Sequence, residues 1–93
     1  MKQIYIFYQN YYCVQDLLKD LSDVRNALII TKLRHEHLYQ LDNGDIWRIR
    51  EIKNINSITG LHWDKAYVEY SITQDFPEVI EYIKYKNNNY EIF

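Results

Sequence analysis

Two stretches of this chain are apolar with almost no polar interruption, and they limit the fold more than any other feature. They are Gln3–Tyr8 (QIYIFY) and Ala27–Ile30, the latter inside Asn26–Leu33 (NALIITKL). A strand with one face in water alternates apolar and polar residues; a strand without that alternation is covered on both faces. Between the two stretches the period changes. Val14, Leu17, Leu18 and Leu21 recur at helical spacing, with Gln15, Asp16, Lys19 and Asp20 between them, which predicts a helix from about Tyr12 to Leu21. Ser22, Asp23 and Asn26 then mark a turn, with Val24 packing after the helix. Covered strands separated by a helix belong to a sheet that is at least partly parallel and carries helices on its faces.

The rest of the chain extends that sheet. Leu38–Leu41 reads as a short strand, and Asp42-Asn43-Gly44-Asp45 is the strongest turn signal, with Asn43-Gly44 suited to a two-residue hairpin at positive φ. Ile46–Lys53 (IWRIREIK) is the returning strand. Neither of its sides is cleanly apolar, which predicts a place at or near an edge. Asn54–Asp64 is a loop or one helical turn that bends at Gly60. Lys65–Ile72 (KAYVEYSI) alternates, with Ala66, Val68, Tyr70 and Ile72 on one side. Asp75-Phe76-Pro77-Glu78 opens a helix with a capping acid and a first-turn proline, and Val79, Ile80 and Ile83 supply its buried stripe. Asn87-Asn88-Asn89 ends it, and Tyr90–Phe93 follows as a short strand or a frayed tail. The predicted fold is a small α/β domain spanning residues 1–93, with a mixed sheet in the order strand, helix, strand, hairpin, strand, helix.

Composition narrows the function classes. The net charge of −2 argues against a broad nucleic-acid surface. A single cysteine, Cys13, excludes an internal disulfide, and no apolar run is long enough to span a bilayer, so a cytoplasmic protein without membrane contact is expected. Ten tyrosines are more than one small core can enclose. Their hydroxyls need partners when buried, so some rings are expected at the surface.

Leu41-Asp42-Asn43-Gly44-Asp45-Ile46 is similar to the L-x-N-G-S-x-I hairpin of phage terminase and helicase-like ATPase cores. Thr59–Tyr70 follows the rhythm of a later segment in those families, one that ends in paired acids. Ala27–Thr31 resembles the strand before the hairpin. This resemblance implies a degenerate P-loop-like core. The phosphate loop belongs after the first strand, at Gln9–Cys13 (QNYYC), where glycines must let the backbone wrap phosphates and a lysine and a hydroxyl must follow. That segment has no glycine, lysine, serine or threonine. Glu69 falls where the magnesium-organising acid would lie, and Tyr70 where the water-activating glutamate would lie. A phenol with a pKa near 10 is a poor base at neutral pH. Nucleotide hydrolysis is not expected, and no cofactor is implied.

Other residue types suggest chemistry that each has a plainer explanation. Glu51-Ile52-Lys53 has the E-x-K spacing of metal nucleases, with Asp45 as the preceding acid, or it is a solvated strand face. His35-x-His37 puts two imidazoles on one side of an extended segment; a third zinc ligand would be His62, Glu36 or Asp64, and nothing in the sequence brings one near. Cys13 sits at a helix start without a base partner, as a small apolar residue would. Arg48, Arg50 and Lys53 beside Trp47 and Trp63 could form a basic-aromatic strip for single-stranded nucleic acid, which Glu51 interrupts.

The leading expectation is a non-enzymatic protein-binding module. Its size and its Ile/Asn/Lys/Tyr-rich texture resemble small accessory proteins of phages from AT-rich bacteria, which implies binding or inhibition of a host or phage protein by steric block. The partner-binding residues expected are Trp47, Arg48, Arg50, Trp63, Tyr67 and Tyr70, because aromatic and arginine side chains dominate interfaces. The same face could make a homodimer. The alternative is a nucleic-acid-binding protein or metal-dependent nuclease that uses Arg48, Arg50 and Lys53.

Overall fold

The computed structural model describes residues 1–21, 29–33 and 36–93. Its elements are β1 (Gln3–Tyr8), α1 (Tyr11–Asp20), β2 (Ile29–Lys32), β3 (Glu36–Gln40), β4 (Ile46–Glu51), a 3-10 turn (Ile55–Ser57), β5 (Lys65–Val68), α2 (Tyr70–Asp75), α3 (Pro77–Lys86) and β6 (Tyr90–Ile92). The strands form one sheet in the order β2-β3-β4-β1-β5-β6. β1 pairs in parallel with β4 and β5, and β5 with β6, whereas β3 runs antiparallel to β2 and β4. A mixed, mostly parallel sheet with helices is the predicted α/β class.

β1 is central because both its sides are apolar. Ile4 and Ile6 pack on one face with Val14 of α1, Leu41, Trp47, Ile49 and Tyr67. Tyr5 and Phe7 pack on the other with Ile58, Trp63, Ala66, Val68 and the α2–α3 residues Ile72, Val79, Ile80 and Ile83. The connection from β1 to β4 crosses the sheet one way with α1 on the first face. The connections from β4 to β5 and from β5 to β6 move the opposite way over the second face. Opposite directions on opposite faces give all three crossovers the same hand, as the twist of parallel strands demands.

Several elements depart from the sequence prediction. β4 is an interior strand between β3 and β1, not an edge. Its mixed pattern reflects two covers of different chemistry: Trp47 and Ile49 sit in the apolar layer, while Arg48 and Arg50 on the other side pair with Glu36. The apolar second strand takes the outer position. The hairpin connection is longer than two residues. Leu41 N–H donates to Asp45 O and Gly44 N–H to Leu41 O, and only Gly44 has positive φ (90°). Asn43 accepts the Asp45 N–H instead of turning left-handed.

The strand predicted over Lys65–Ile72 stops at Val68, and Tyr70–Asp75 is helical. Ile72 still reaches the same core, because a helical turn after the strand keeps it beside Val79 and Ile83. Phe76, not Asp75, is the N-cap of α3, with no side-chain cap bond. The expected turn at Ser22, Asp23 and Asn26, the packing of Val24, the strand residues Ala27 and Leu28, and His35 lie outside the described residues. Among the described residues, no helix is long and apolar enough to cross a membrane.

Candidate functional site at the carboxyl ends of β1 and β5

From the carboxyl end of β1 the chain leaves toward β4 over one face; from that of neighbouring β5 it leaves toward β6 over the other. Such a switch point opens a crevice at the strand ends, where α/β sheets commonly bind ligands. Here the crevice holds a side chain of the protein itself. Glu69, directly after β5, is only 4% exposed and is the one buried charged residue among those described. Its Oε1 accepts the backbone N–H of Gln9 at 3.0 Å and of Asn10 at 2.7 Å. Its Oε2 accepts the Ser71 hydroxyl. The Gln9 amide nitrogen donates to Ser71 Oγ at 2.9 Å and to Asp75 Oδ2 at 3.1 Å, tying the end of β1 to α2.

This geometry follows from local sequence. Asn10 caps α1, its side chain accepting the Tyr12 N–H and its carbonyl the Cys13 N–H. The Tyr12 and Cys13 donors in the first turn of α1 are therefore satisfied within the chain. The N–H groups of Gln9 and Asn10, one step earlier, are left to an anion, and Glu69 supplies it. Each buried donor has an acceptor and the buried carboxylate has three donors, so its burial is compensated.

Two tyrosines flank the crevice. Tyr12, in the first turn of α1, is 77% exposed, and Tyr70, the first residue of α2, is 61% exposed. Beside them, the Tyr11 hydroxyl lies 3.2 Å from His37 Nδ1, and their rings meet edge to face at 5.4 Å. Burial and the Lys32 charge lower the His37 pKa. Burial and the neighbouring Tyr11 push Tyr39 up to about 12. Along that flank of α1 runs an open cleft of 790 Å³ bordered by Tyr11, Tyr12, Lys19 and Tyr39.

The structure divides the six partner-binding residues expected from sequence. Trp47 and Trp63 are each 6% exposed and lie on opposite faces of the sheet. Trp47 stacks on buried Tyr67 at 5.8 Å, and Trp63 meets Tyr5 and Phe7 edge to face. These three rings are core: Trp47 and Tyr67 lie on strands covered on both faces, and Trp63, in the loop before β5, packs onto the rings of β1. The indole N–H groups of Trp47 and Trp63 have no hydrogen-bond partner among the described residues. Only Tyr70 of the six is strongly exposed.

Arg48 and Arg50 are partly buried, and both pair with Glu36, at 3.6 and 3.5 Å. Arg50 Nε also donates to Ser57 O at 2.7 Å, and Lys53 lies 3.8 Å from Glu51. The basic strip is thus largely engaged by the protein's own acids and carbonyls. The acid partners expected for a metal do not converge. Asp45 precedes β4 and Glu51 ends it, about 20 Å apart at the rise of a strand. Asp45 and Asp64 instead accept the backbone N–H groups of Lys2 and Gln3 at the far end of β1. His62 lies by Asp64 at that end, in a cavity lined also by Gln3 and Trp63, and His37 contacts Tyr11 at the other. Among the described residues no cluster of three His, Cys, Asp or Glu side chains could hold a metal ion.

Sequence reasoning singled out Glu69 by its position in a borrowed pattern, but missed its partners Gln9, Ser71 and Asp75. The signal was present in a polar break, Gln9-Asn10, closing one apolar strand and an acid closing another. No protein-family model, curated protein or solved structure matches the chain.

Proposed function

We propose that the chain is a non-enzymatic protein-binding module whose contact surface is the tyrosine-bearing edge around the switch point, acting by steric block as a phage-type accessory or inhibitor protein would. The observation that carries this reading is the exposure of Tyr12 and Tyr70 on the first turns of the two helices that leave neighbouring strand ends. Tyrosine combines a large apolar body with a polar tip and loses little conformational entropy on contact, which suits it to anchor an interface. Glu69 supports the same reading: the donors at the crevice mouth already hold a carboxylate, so a phosphate-bearing ligand would have to displace a buried side chain.

The test is affinity capture from a host lysate with the wild type and with a Tyr12→Ala/Tyr70→Ala double variant whose circular dichroism matches it. A captured protein lost by the variant is the expected result, with about 2 kcal/mol or more in binding for each anchor that is a hot spot. Identical captured sets from the two proteins would reject the edge as the contact surface.

A further inference from the structure

Resting on that reading, we propose that the groove between α1 and the end of β6 receives a basic peptide segment through one apolar anchor residue. The groove has a volume of 310 Å³ and is lined by Cys13, Asp16, Leu17 and Asp20 of α1 and by Phe93. Leu17 and Phe93 are partly buried and pack against the Ile4–Ile6–Trp47 layer, so its floor is apolar. The volume stands at the lower end for ligand pockets and matches a single large side chain of a partner better than a free metabolite.

The rim gives the partner its charge. Asp16 and Asp20 stand one helical turn apart on the same side of α1, both exposed. Asp16 meets Lys19 at 3.6 Å, a loose pair with both side chains largely in solvent. Asp20 has no ion pair or hydrogen bond among the described residues. Nearby on the same face, Lys65 and Glu91 neutralise each other at 3.3 Å. An apolar floor beside two exposed carboxylates, one only loosely paired and the other without a cation among the described residues, is complementary to an apolar residue flanked by lysine or arginine. The same charges repel a nucleic acid and disfavour a second copy of this acidic chain.

The groove is continuous with the proposed contact edge. Cys13 follows Tyr12, and the Phe93 carbonyl accepts the Tyr70 N–H at 2.7 Å. A bound segment would run from the tyrosines down α1 toward Asp20.

The probe is a blocked pentapeptide, phenylalanine flanked on each side by two lysines, titrated into the ¹⁵N-labelled full chain. Saturable shifts of the Cys13, Leu17 and Phe93 amides are expected, absent with the glutamate-flanked counterpart. Asp16→Asn/Asp20→Asn, which changes only exposed side chains, should weaken binding about 5- to 10-fold and flatten its salt dependence. Absence of saturable shifts at the groove, or equal binding by the acidic peptide or the double variant, would overturn the groove assignment. The two proposals fail separately. A groove that stays empty while Tyr12→Ala/Tyr70→Ala loses its captured partner removes only this inference. A filled groove with capture unaffected by the tyrosines removes only the edge reading.

Discussion

The central strand β1 is held by carboxylates at both ends, and the two ends differ in burial. At its start, Asp45 and Asp64 accept the N–H groups of Lys2 and Gln3 at 2.9 and 2.7 Å, in solvent. At its finish, one buried carboxylate accepts the N–H groups of Gln9 and Asn10 through part-buried bonds. The device is the same, an acid next to a neighbouring strand clasping the end of β1. Its energetic weight should not be. A donor that loses its acceptor in solvent turns to water, whereas a buried donor has nothing to turn to. If the comparison holds, the carboxyl end is a structural keystone and the amino end is trim.

The largest expected effect is therefore at Glu69. Glu69→Ala strands two backbone donors and the Ser71 hydroxyl, and should cost about 3 kcal/mol of unfolding free energy. That is a large part of the stability of a domain this small. Urea titration measures it. Added formate, a small anion that fits the vacated space, should restore part of the lost midpoint, while wild type should not respond. A loss below about 1 kcal/mol would show that the buried clasp is no stronger than a surface contact.

Glu69→Gln sharpens the point. The amide oxygen can still accept one N–H, but it lacks the charge that strengthens all three bonds, and the amide NH₂ competes with Ser71 as donor. A loss of about 1–2 kcal/mol is expected, between wild type and alanine. A glutamine variant as unstable as the alanine one would mean that the negative charge, rather than acceptor geometry, carries the clasp.

How far this site could be read from sequence depends on which interactions are local. β1, α1, the hairpin strands, the Gly60 bend and α3 were legible, because their apolar periods and turn residues act within a few positions. The clasp was not, because Gln9 and Glu69 are separated by the whole hairpin and its following loop. Periodicity read Tyr70 and Ile72 as continuing β5, since a strand and a short helical turn can both deliver Ile72 to the core. The tryptophans misled for a related reason. Amphipathic rings serve interfaces and cores equally well, and only long-range packing decides between them: the interior position of β4 for Trp47, and the docking of the loop before β5 on Tyr5 and Phe7 for Trp63. Arg48 and Arg50 looked like a basic face until Glu36 arrived from the adjacent strand.

A smaller effect separates the first turn of α1 from the rest of the carboxyl end. His37, beside Tyr11, has a pKa lowered by burial and by Lys32. The folded state therefore binds a proton less readily than the unfolded chain. Stability should be level above the unfolded value of about 6.5 and decline as pH falls below it, until the folded-state imidazole also takes its proton. A His37→Phe variant, which keeps a ring against Tyr11 but cannot titrate, should lose that part of the decline. Thermal melts between pH 7.5 and 5 would read it, and an unchanged slope in the variant would assign the acid sensitivity to other groups.

The smallest effects belong to the amino end. Asp64→Ala and Asp45→Ala each remove one acceptor from an exposed N–H, at Gln3 and Lys2 respectively, and water can take its place. Asp45 has further work within the hairpin: its N–H donates to Asn43 Oδ1, its carbonyl accepts the Leu41 N–H, and Asn43 Nδ2 reaches its carboxylate. Alanine keeps the two backbone bonds and loses the carboxylate contacts. Each substitution should cost about 0.5–1 kcal/mol, with Asp64 at the upper end because its bond is the shorter and ties β1 directly to the start of β5. Amide hydrogen exchange makes the contrast within one wild-type sample. Gln9 and Asn10 should exchange only with large-scale opening, whereas Lys2 and Gln3 should exchange through local fraying of the strand start. Equal protection at the two ends, or an Asp64→Ala loss matching that of Glu69→Ala, would mean that solvent does not replace the amino-end acceptors and that both clasps hold β1 alike.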